Sequence, residues 1–143
     1  MDKEQALKLY VVLSRAYRAA SEADKKEIGQ YGLGPTEFAV LELLFHKGPQ
    51  PIQQIASKVL LTSGSMTYVV SQLEKKGLLK RVVSEKDRRV FYAELTDNGT
   101  KLIEEIFPAH ETFLHNMFDV FSNEDADKLI EQLKYLGKSI TES

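Results

Sequence analysis

The sequence predicts a mainly α-helical protein with one small β-hairpin. Apolar residues recur at the 3.6-residue helical spacing through most of the chain, and this spacing changes to two only between Leu78 and Leu95. The length of 143 residues suits one domain with its own hydrophobic core. The composition, 43% hydrophobic and 28% charged, is typical of a soluble globular protein.

The first two helices are predicted from their apolar spacing and their end signals. Residues 4–28 carry one broad apolar stripe. A second helix is expected to begin with Gly34 at the N-cap, Pro35 in the first helical position and Glu37 in the third. The basic residue, glycine and proline of Lys47-Gly48-Pro49 are expected to end it.

Two further helices are predicted with a tight connection between them. Pro51 opens a short helix over 52–59, and Leu60-Leu61-Thr62 forms the connection. Ser63 is the expected N-cap of the next helix, which runs through Lys76 and stops at Gly77. Its apolar residues share one side and are expected in the core: Met66, Val69, Val70 and Leu73.

The rest of the chain is predicted as a hairpin and two helices. Residues 78–84 and 90–95 are rich in β-branched and aromatic residues, as strands are, and a charged tip separates them. Thr96 is the expected N-cap of a helix towards 117–120, with a kink at Pro108. Ser122 begins the last helix, to about Ile140, which we expect to bury Ala126, Leu129, Ile130, Leu133, Leu136 and Ile140.

The order of helix, tight connection, helix and hairpin is that of a winged helix-turn-helix, whose second helix fits the major groove of DNA. At the wing tip, Arg88 and Arg89 can reach phosphates or the minor groove, and Asp87 is expected to position an arginine, since it would repel phosphate. A solvated helix face and a solubilising turn are the alternative interpretations. The candidate DNA-contacting residues of the second helix are Ser63, Ser65, Thr67, Tyr68, Ser71, Gln72 and Lys75.

Charge is distributed unevenly along the chain. The net charge is −2, but residues 58–89 hold eight basic and three acidic side chains, a local charge of +5. The segment after Arg89 holds four basic and eleven acidic residues. Since a phosphate backbone responds to charge within a Debye length of about 8 Å, the local excess favours DNA as the partner.

Several classes of function are excluded or disfavoured. The absence of cysteine excludes disulfides, thiolate zinc sites and thiol redox sensing. His110 and His115 stand five residues apart and diverge by about 140° on a helix, so no metal site is expected. No nucleophile elbow, phosphate loop or paired carboxylates are present, which predicts no enzyme and no cofactor. No apolar run reaches the ~20 residues of a membrane span, and we expect a cytoplasmic, nucleoid-associated protein.

Two motifs in register carry a family resemblance. The run from Leu61 to Leu78 resembles the recognition helix and following strand of the MarR family. Asp87-Arg88-Arg89, followed by Leu95-Thr96-Asp97-Asn98-Gly99, resembles the wing signature of that family, D-x-R and then L-T-x-x-G. The resemblance covers nearly the whole chain in element order and is most specific from Ile55 to Gly99.

The resemblance implies a domain organisation and an activity. It implies a single domain over 1–143, with a DNA-binding lobe over 34–96 and dimerisation helices over 4–28 and 97–141. A homodimer would bind a pseudo-palindromic operator in double-stranded DNA, usually as a repressor, and a small phenolic or other aromatic effector would release it. The recognition helix is similar to that of a subgroup linked to quinone and phenol responses.

The effector pocket has no sequence motif in this family. Tyr17, Phe45 and His110 are therefore candidates by residue type alone. The alternative function is a winged-helix protein-interaction module without specific DNA binding, which the same fold can serve. The presence of Arg88 and Arg89 in the wing argues against that alternative.

Overall fold

A computed structural model describes residues 1–59 and 65–142 of the chain. Within these residues it confirms the predicted class, mainly helical with a small β wing. None of the helices in these ranges is long and apolar enough to cross a membrane. The elements in chain order are α1 (Lys3–Gly29), α2 (Pro35–Lys47), β1 (Gln50–Pro51), α3 (Ile52–Lys58), α4 (Met66–Lys75), β2 (Leu79–Val83), β3 (Phe91–Leu95), α5 (Asp97–Phe118) and α6 (Asn123–Thr141).

The helix ends follow the signals in the sequence. The backbone N–H of Gly34 donates to the Glu37 carboxylate at 2.9 Å, so Glu37 closes the first turn of α2 as its position predicts. Gly77 follows α4 with a φ of 74°, a left-handed conformation that glycine adopts without strain. Ser122 caps α6 by accepting a hydrogen bond from the backbone N–H of Asp125 at 3.1 Å.

The start of α4 differs from the expectation. Its N-cap is Ser65, in an extended conformation, and the helix begins at Met66. The sequence predicts Ser63 as the cap, but two cap-type serines lie two residues apart and local preference does not choose between them. Ser63 and the predicted connection Leu60–Thr62 lie outside the described residues.

The wing belongs to a three-stranded antiparallel sheet in the order β1-β3-β2. No sequence pattern predicts the short strand β1, because two residues cannot show a period of two. Pro51, expected to open a helix, pairs with Tyr92 as the last residue of β1 and is also the N-cap of α3. In the wing hairpin the paired residues are Leu79 with Leu95, Lys80 with Glu94, Arg81 with Ala93, Val82 with Tyr92, and Val83 with Phe91.

The hydrophobic core lies in the first of two compact units, Met1–His110. The prediction for α4 is confirmed: Val69, Val70 and Leu73 are buried, and Met66 packs against them partly covered. The other core residues come from α1, α2, α3, α5, the sheet and the segments between them: Ile28, Leu33, Phe38, Val40, Leu41, Leu44, Ile55, Leu78, Leu79, Ala93, Ile103 and Ile106.

The second unit, Glu111–Ser143, holds the end of α5 and all of α6. The prediction that α6 buries its apolar residues is wrong for a single chain, since none of its described residues is buried. Leu133 remains 44% exposed and Ile140 65%. The physical reason is that the second unit, which holds only the end of α5 and α6, offers too little surface to cover an apolar stripe. Helix α5 continues through Pro108, and the expected kink stays a prediction.

The first turn of α5 packs against the backbone that follows α4. A Cβ atom on Gly99 would lie 1.9 Å from the carbonyl oxygen of Leu78, so only glycine fits. The Thr96 hydroxyl donates to the carbonyl of Gly77 at 2.6 Å and accepts from the Gly99 N–H at 3.1 Å. The backbone N–H of Thr96 donates to the carbonyl of Leu78 at 3.1 Å. These bonds fasten α5 to the start of β2.

Gly99→Ala should therefore destabilise the fold. The new methyl group must displace backbone rather than a side chain, and such overpacking costs about 1–3 kcal/mol or more. Urea unfolding followed by circular dichroism measures the change. Gly29→Ala is the matched control, because nothing lies within 4 Å of a Cβ there, and its stability should stay the same or rise slightly. Equal stability of the two variants would contradict the close approach at Gly99.

Candidate nucleic-acid interface

Helix α4 presents a polar face on the side opposite its core residues. Thr67, Tyr68 and Lys75 are exposed, and the Tyr68 side chain is 65% accessible to solvent. Ser71 and Gln72 are half-buried at the margin of the same surface. Five predicted contact residues thus lie along one helix, while Ser65 stands just before it at the N-cap.

The end of α4 is anchored to the start of α2. The Lys76 ammonium lies 2.8 Å from a Glu37 carboxylate oxygen and donates to the carbonyl of Gly32 at 2.9 Å. Glu37 also accepts the bond from Gly34 that caps α2. Because this carboxylate is mostly covered, the pair is worth more than an exposed one. Lys76 thus helps to orient α4. From its place in the basic segment, a phosphate contact was an alternative role for this lysine.

Arg81 connects the wing to the polar face of α4. Its Nε atom lies 3.2 Å from the Glu74 carboxylate, and its Nη2 atom donates to the Ser71 hydroxyl at 3.1 Å. Ser71 is predicted to contact DNA, and its hydroxyl is already engaged on one side. No sequence signal indicates this pairing, because residues 71 and 81 belong to different elements.

The wing tip is organised by hydrogen bonds to Asp87 and Ser84. The Asp87 carboxylate accepts from the Arg89 backbone N–H at 3.0 Å and from the Arg89 Nε at 3.2 Å. The guanidinium bond, and next the backbone bond, lower the pKa of Asp87 below its ordinary value, so the carboxylate is charged. The Ser84 hydroxyl accepts from the backbone of Lys86 and of Asp87. Asp87 therefore fixes the direction of Arg89.

Most cations of the basic segment already have partners. Besides Lys76, Arg81 and Arg89, Lys80 pairs with Glu94 across the sheet at 3.2 Å, and Lys58 donates to the side chains of two glutamines. Lys75, Lys86 and Arg88 form no ion pair within the described ranges. These three are the charges most available to phosphate.

The three candidate pocket residues occupy different surroundings. Tyr17 is 59% exposed on α1, whereas Phe45 is half-buried and meets the ring of His46 edge-on at 5.2 Å. His110 is buried against Phe38, with ring centroids 4.6 Å apart. No ring contact joins Tyr17, Phe45 and His110 to one another among the residues described.

A concave surface lies beside His46, which is not one of the three candidate pocket residues. His46 lines it together with residues of α2 and α3 such as Glu42 and Lys58. The ring of Phe107 also packs edge-on against the ring of His46, and the two ring centroids are 4.7 Å apart. The sequence shows that Phe45 and His46 are neighbours. It does not show that Phe107 of α5 packs against His46, because helical spacing alone does not reveal contacts between helices.

Asp24 and His110 form a buried polar pair without a hydrogen bond. The Asp24 Oδ1 and His110 Nδ1 atoms lie 3.6 Å apart, and both are buried without a partner among the described groups. Burial raises the pKa of Asp24, the charge of His110 lowers it, and that of Glu27 raises it. Burial is the largest of the three effects, so the ionised carboxylate is held at a cost.

Helix α4 has a polar face, is preceded by the short helix α3, and is followed by the cationic hairpin of β2 and β3. This arrangement is that of a winged-helix DNA-binding transcriptional regulator. Comparison with known proteins agrees. The MarR family model matches residues 33–91. The HTH-type transcriptional regulator MhqR of Bacillus subtilis (strain 168) is 52% identical over 134 residues, covering 94% of this chain and 92% of that protein. The chain belongs to the MarR family, and its relatives are transcriptional regulators rather than enzymes.

Solved structures support the same assignment. The structure of reduced AbfR bound to DNA is 26% identical, has a TM-score of 0.78, and is matched over 99% of each chain. AbsC, a MarR family transcriptional regulator from Streptomyces coelicolor, shares the fold with a TM-score of 0.86 at 19% identity, over 100% of this chain and 98% of that one.

The buried pair makes stability depend on pH. Because the folded-state pKa of Asp24 is raised, its neutral form stabilises the fold at low pH, and this contribution is lost as pH rises through that pKa. Asp24→Asn cannot ionise, so we expect a higher melting temperature than wild type at pH 8 and a difference that shrinks towards pH 4. The exposed Asp119→Asn is the control. A lower melting temperature for Asp24→Asn at pH 8 would refute the unfavourable burial.

Proposed function

We propose that the protein is a homodimeric repressor that binds a pseudo-palindromic operator and is released by a small aromatic effector. The observation that carries the DNA contact is the placement of the α4 polar face beside a wing whose tip is organised by Asp87. Binding in this manner would occur in the cytoplasm, on the nucleoid.

Each part of the interface has its own task in this proposal. Thr67, Tyr68, Ser71, Gln72 and Lys75 enter the major groove, where short polar groups and cations read base edges. Ser63 and Ser65, before the helix, donate to phosphate. Arg88, exposed and without an ion pair among the described residues, and Arg89, directed by Asp87, contact the backbone or the adjacent minor groove.

Exposed apolar stripes support the homodimer. On α1, Leu7 is 72% exposed and Tyr10 73%, and α6 exposes Leu129, Ile130, Leu133, Leu136 and Ile140. Apolar surface of this extent marks an interface in most proteins. A second copy of the same chain is the partner we propose, since symmetric pairing also presents two recognition helices to two half-sites about one helical turn, or ~10 bp, apart.

The aromatic effector is proposed from the side chains available in the first unit. His46 lines a concave surface and meets the rings of Phe45 and Phe107 edge-on, and an aromatic ring in such a position suits a planar aromatic ligand. Tyr17 and His110 remain candidates for the same role. Screening phenols and quinones against the protein–DNA complex tests this part, and persistence of the complex with every compound would count against it.

Arg88→Ala combined with Arg89→Ala should weaken operator binding while leaving the oligomer intact. Removing charge-assisted bonds to phosphate should cost about 10- to 100-fold in affinity per half-site. The slope of log affinity against log salt should also fall by about 1 for each phosphate that the variant no longer neutralises. Fluorescence anisotropy across a salt series, with duplexes from the protein's own upstream DNA, gives both quantities.

Lys128→Ala combined with Lys134→Ala is the matched control for the wing variant. Both lysines lie on exposed positions of α6 and, among the described residues, form ion pairs with nearby glutamates of that helix, so the same charge is removed away from the proposed interface. Its operator affinity and salt slope should match wild type. Unchanged affinity of the wing variant, or wild-type binding that ignores sequence, would favour a protein-interaction module instead.

Leu133→Glu should weaken the dimer. It places a charge in the exposed apolar stripe of α6, where burial of an unpaired carboxylate is unfavourable. Sedimentation velocity over a concentration series should show a dimer for wild type and dissociation towards monomer for the variant. Gln132→Glu introduces the same charge at the neighbouring position outside the stripe and should stay dimeric. A monomeric wild-type protein would overturn the proposed assembly.

A further inference from the structure

We propose that Arg81, a residue of the wing strand β2, reads the acceptor edge of a guanine, and that Glu74 and Ser71 hold it in the orientation this requires. The inference rests on the proposed DNA contact of α4 and adds to it a specificity-determining residue that does not belong to the recognition helix.

The first observation is the way in which the guanidinium is held. The Arg81 Nε donates to the Glu74 carboxylate at 3.2 Å, and the Arg81 Nη2 donates to the Ser71 hydroxyl oxygen at 3.1 Å. Nε and Nη2 lie on one side of the group, so both partners approach from that side. The Arg81 side chain remains 33% exposed and the Glu74 side chain 41% exposed, so the assembly lies at the surface.

The second observation concerns the donors that remain. A guanidinium has five N–H groups in a rigid plane, and Glu74 and Ser71 use two of them. Three remain, two on Nη1 and one on Nη2. One N–H of Nη1 and the remaining N–H of Nη2 lie side by side at the end of the group. Two parallel N–H donors of this kind match O6 and N7 of guanine in the major groove.

Ser71 holds the Arg81 guanidinium from the polar face of α4. It lies four residues after Thr67 and four before Lys75, both exposed, and is itself half-buried at the margin of the polar face of α4. Its oxygen accepts from Arg81, and its proton has no acceptor among the described residues. The Arg81 guanidinium therefore presents donors only, which suits acceptor-bearing base edges and not the amino group of cytosine, while the Ser71 proton is available to an acceptor on a neighbouring base pair.

The position of Arg81 in the sheet explains why it can reach α4. Arg81 pairs with Ala93 in the ladder and stands two residues after Leu79, which is buried, so it shares the sheet face directed at the core and α4. The sheet fixes its backbone and Glu74 fixes its side chain. Glu74 also offsets its charge, so this arginine adds more to discrimination between bases than to general attraction for phosphate.

Arg81→Lys tests the reading role at constant charge. Lysine cannot fill the positions beside Glu74 and Ser71 and still offer two parallel donors. On a duplex selected by the wild-type protein from random DNA, we expect a loss of preference for guanine at one symmetric position per half-site, by about 5- to 150-fold. Arg81→Lys should bind duplexes that carry different bases at this position with similar affinities, while its salt slope stays as in wild type. Thermal unfolding checks that the variant is folded.

Guanine replaced by 7-deazaguanine at that position gives an independent measurement. The modified base lacks the N7 acceptor, so wild type should lose affinity, and Arg81→Lys should lose little further. Glu74→Gln keeps an oxygen for the Nε bond and should retain the preference for guanine with tighter overall binding. Lys80→Arg, the neighbouring cation paired with Glu94, should leave the preference unchanged.

Three results would overturn the inference. A uniform affinity loss in Arg81→Lys at every sequence would indicate a phosphate contact. An unchanged base preference, with lower thermal stability, would indicate a purely structural link between β2 and α4. Wild-type binding without any sequence preference would instead remove the proposed function and this inference together, so the two failures are distinguished by the wild-type protein alone.

Discussion

The contact between Gly99 and the backbone of Leu78 is the constraint on which the arrangement of the first unit depends. At this point the segment that follows α4 meets the first turn of α5, and directly after it Leu79 of β2 pairs with Leu95 of β3. Thr96 adds hydrogen bonds to Gly77 and Leu78 on the same backbone. Helix α4, the wing and α5 are therefore joined through main-chain contacts together with the Thr96 hydroxyl.

Much of the fold could be predicted from local signals. Gly34, Pro35 and Glu37 define the start of α2 because capping depends on neighbours in the chain. Strand β1 could not be predicted, since its two residues gain strand geometry only by pairing with β3. The exposure of Leu133 on α6 could not be predicted either, because periodicity shows which face of a helix is apolar but not what covers that face.

The same distinction applies to the interface. The polar face of α4 follows from helical spacing, and the bond between Asp87 and Arg89 joins residues two apart. The roles of Lys76 and Arg81 could not be predicted, because their partners lie on other elements. Lys76 meets Glu37 across 39 positions of chain, a juxtaposition that only the packing of α4 on α2 creates. The sequence therefore indicated the candidate surface, and the tertiary structure showed which of its cations are held by partners on other elements.

The internal ion pairs of the basic segment have a kinetic consequence. Glu74, Asp87 and Glu94 each hold a cation that would otherwise attract any stretch of duplex. At the proposed interface, this partial neutralisation would release fewer counterions on random sequence and shorten the residence there. A larger share of the molecules would then stay free in solution and sample DNA by repeated encounters. Fewer copies per cell would be needed to keep a single target occupied.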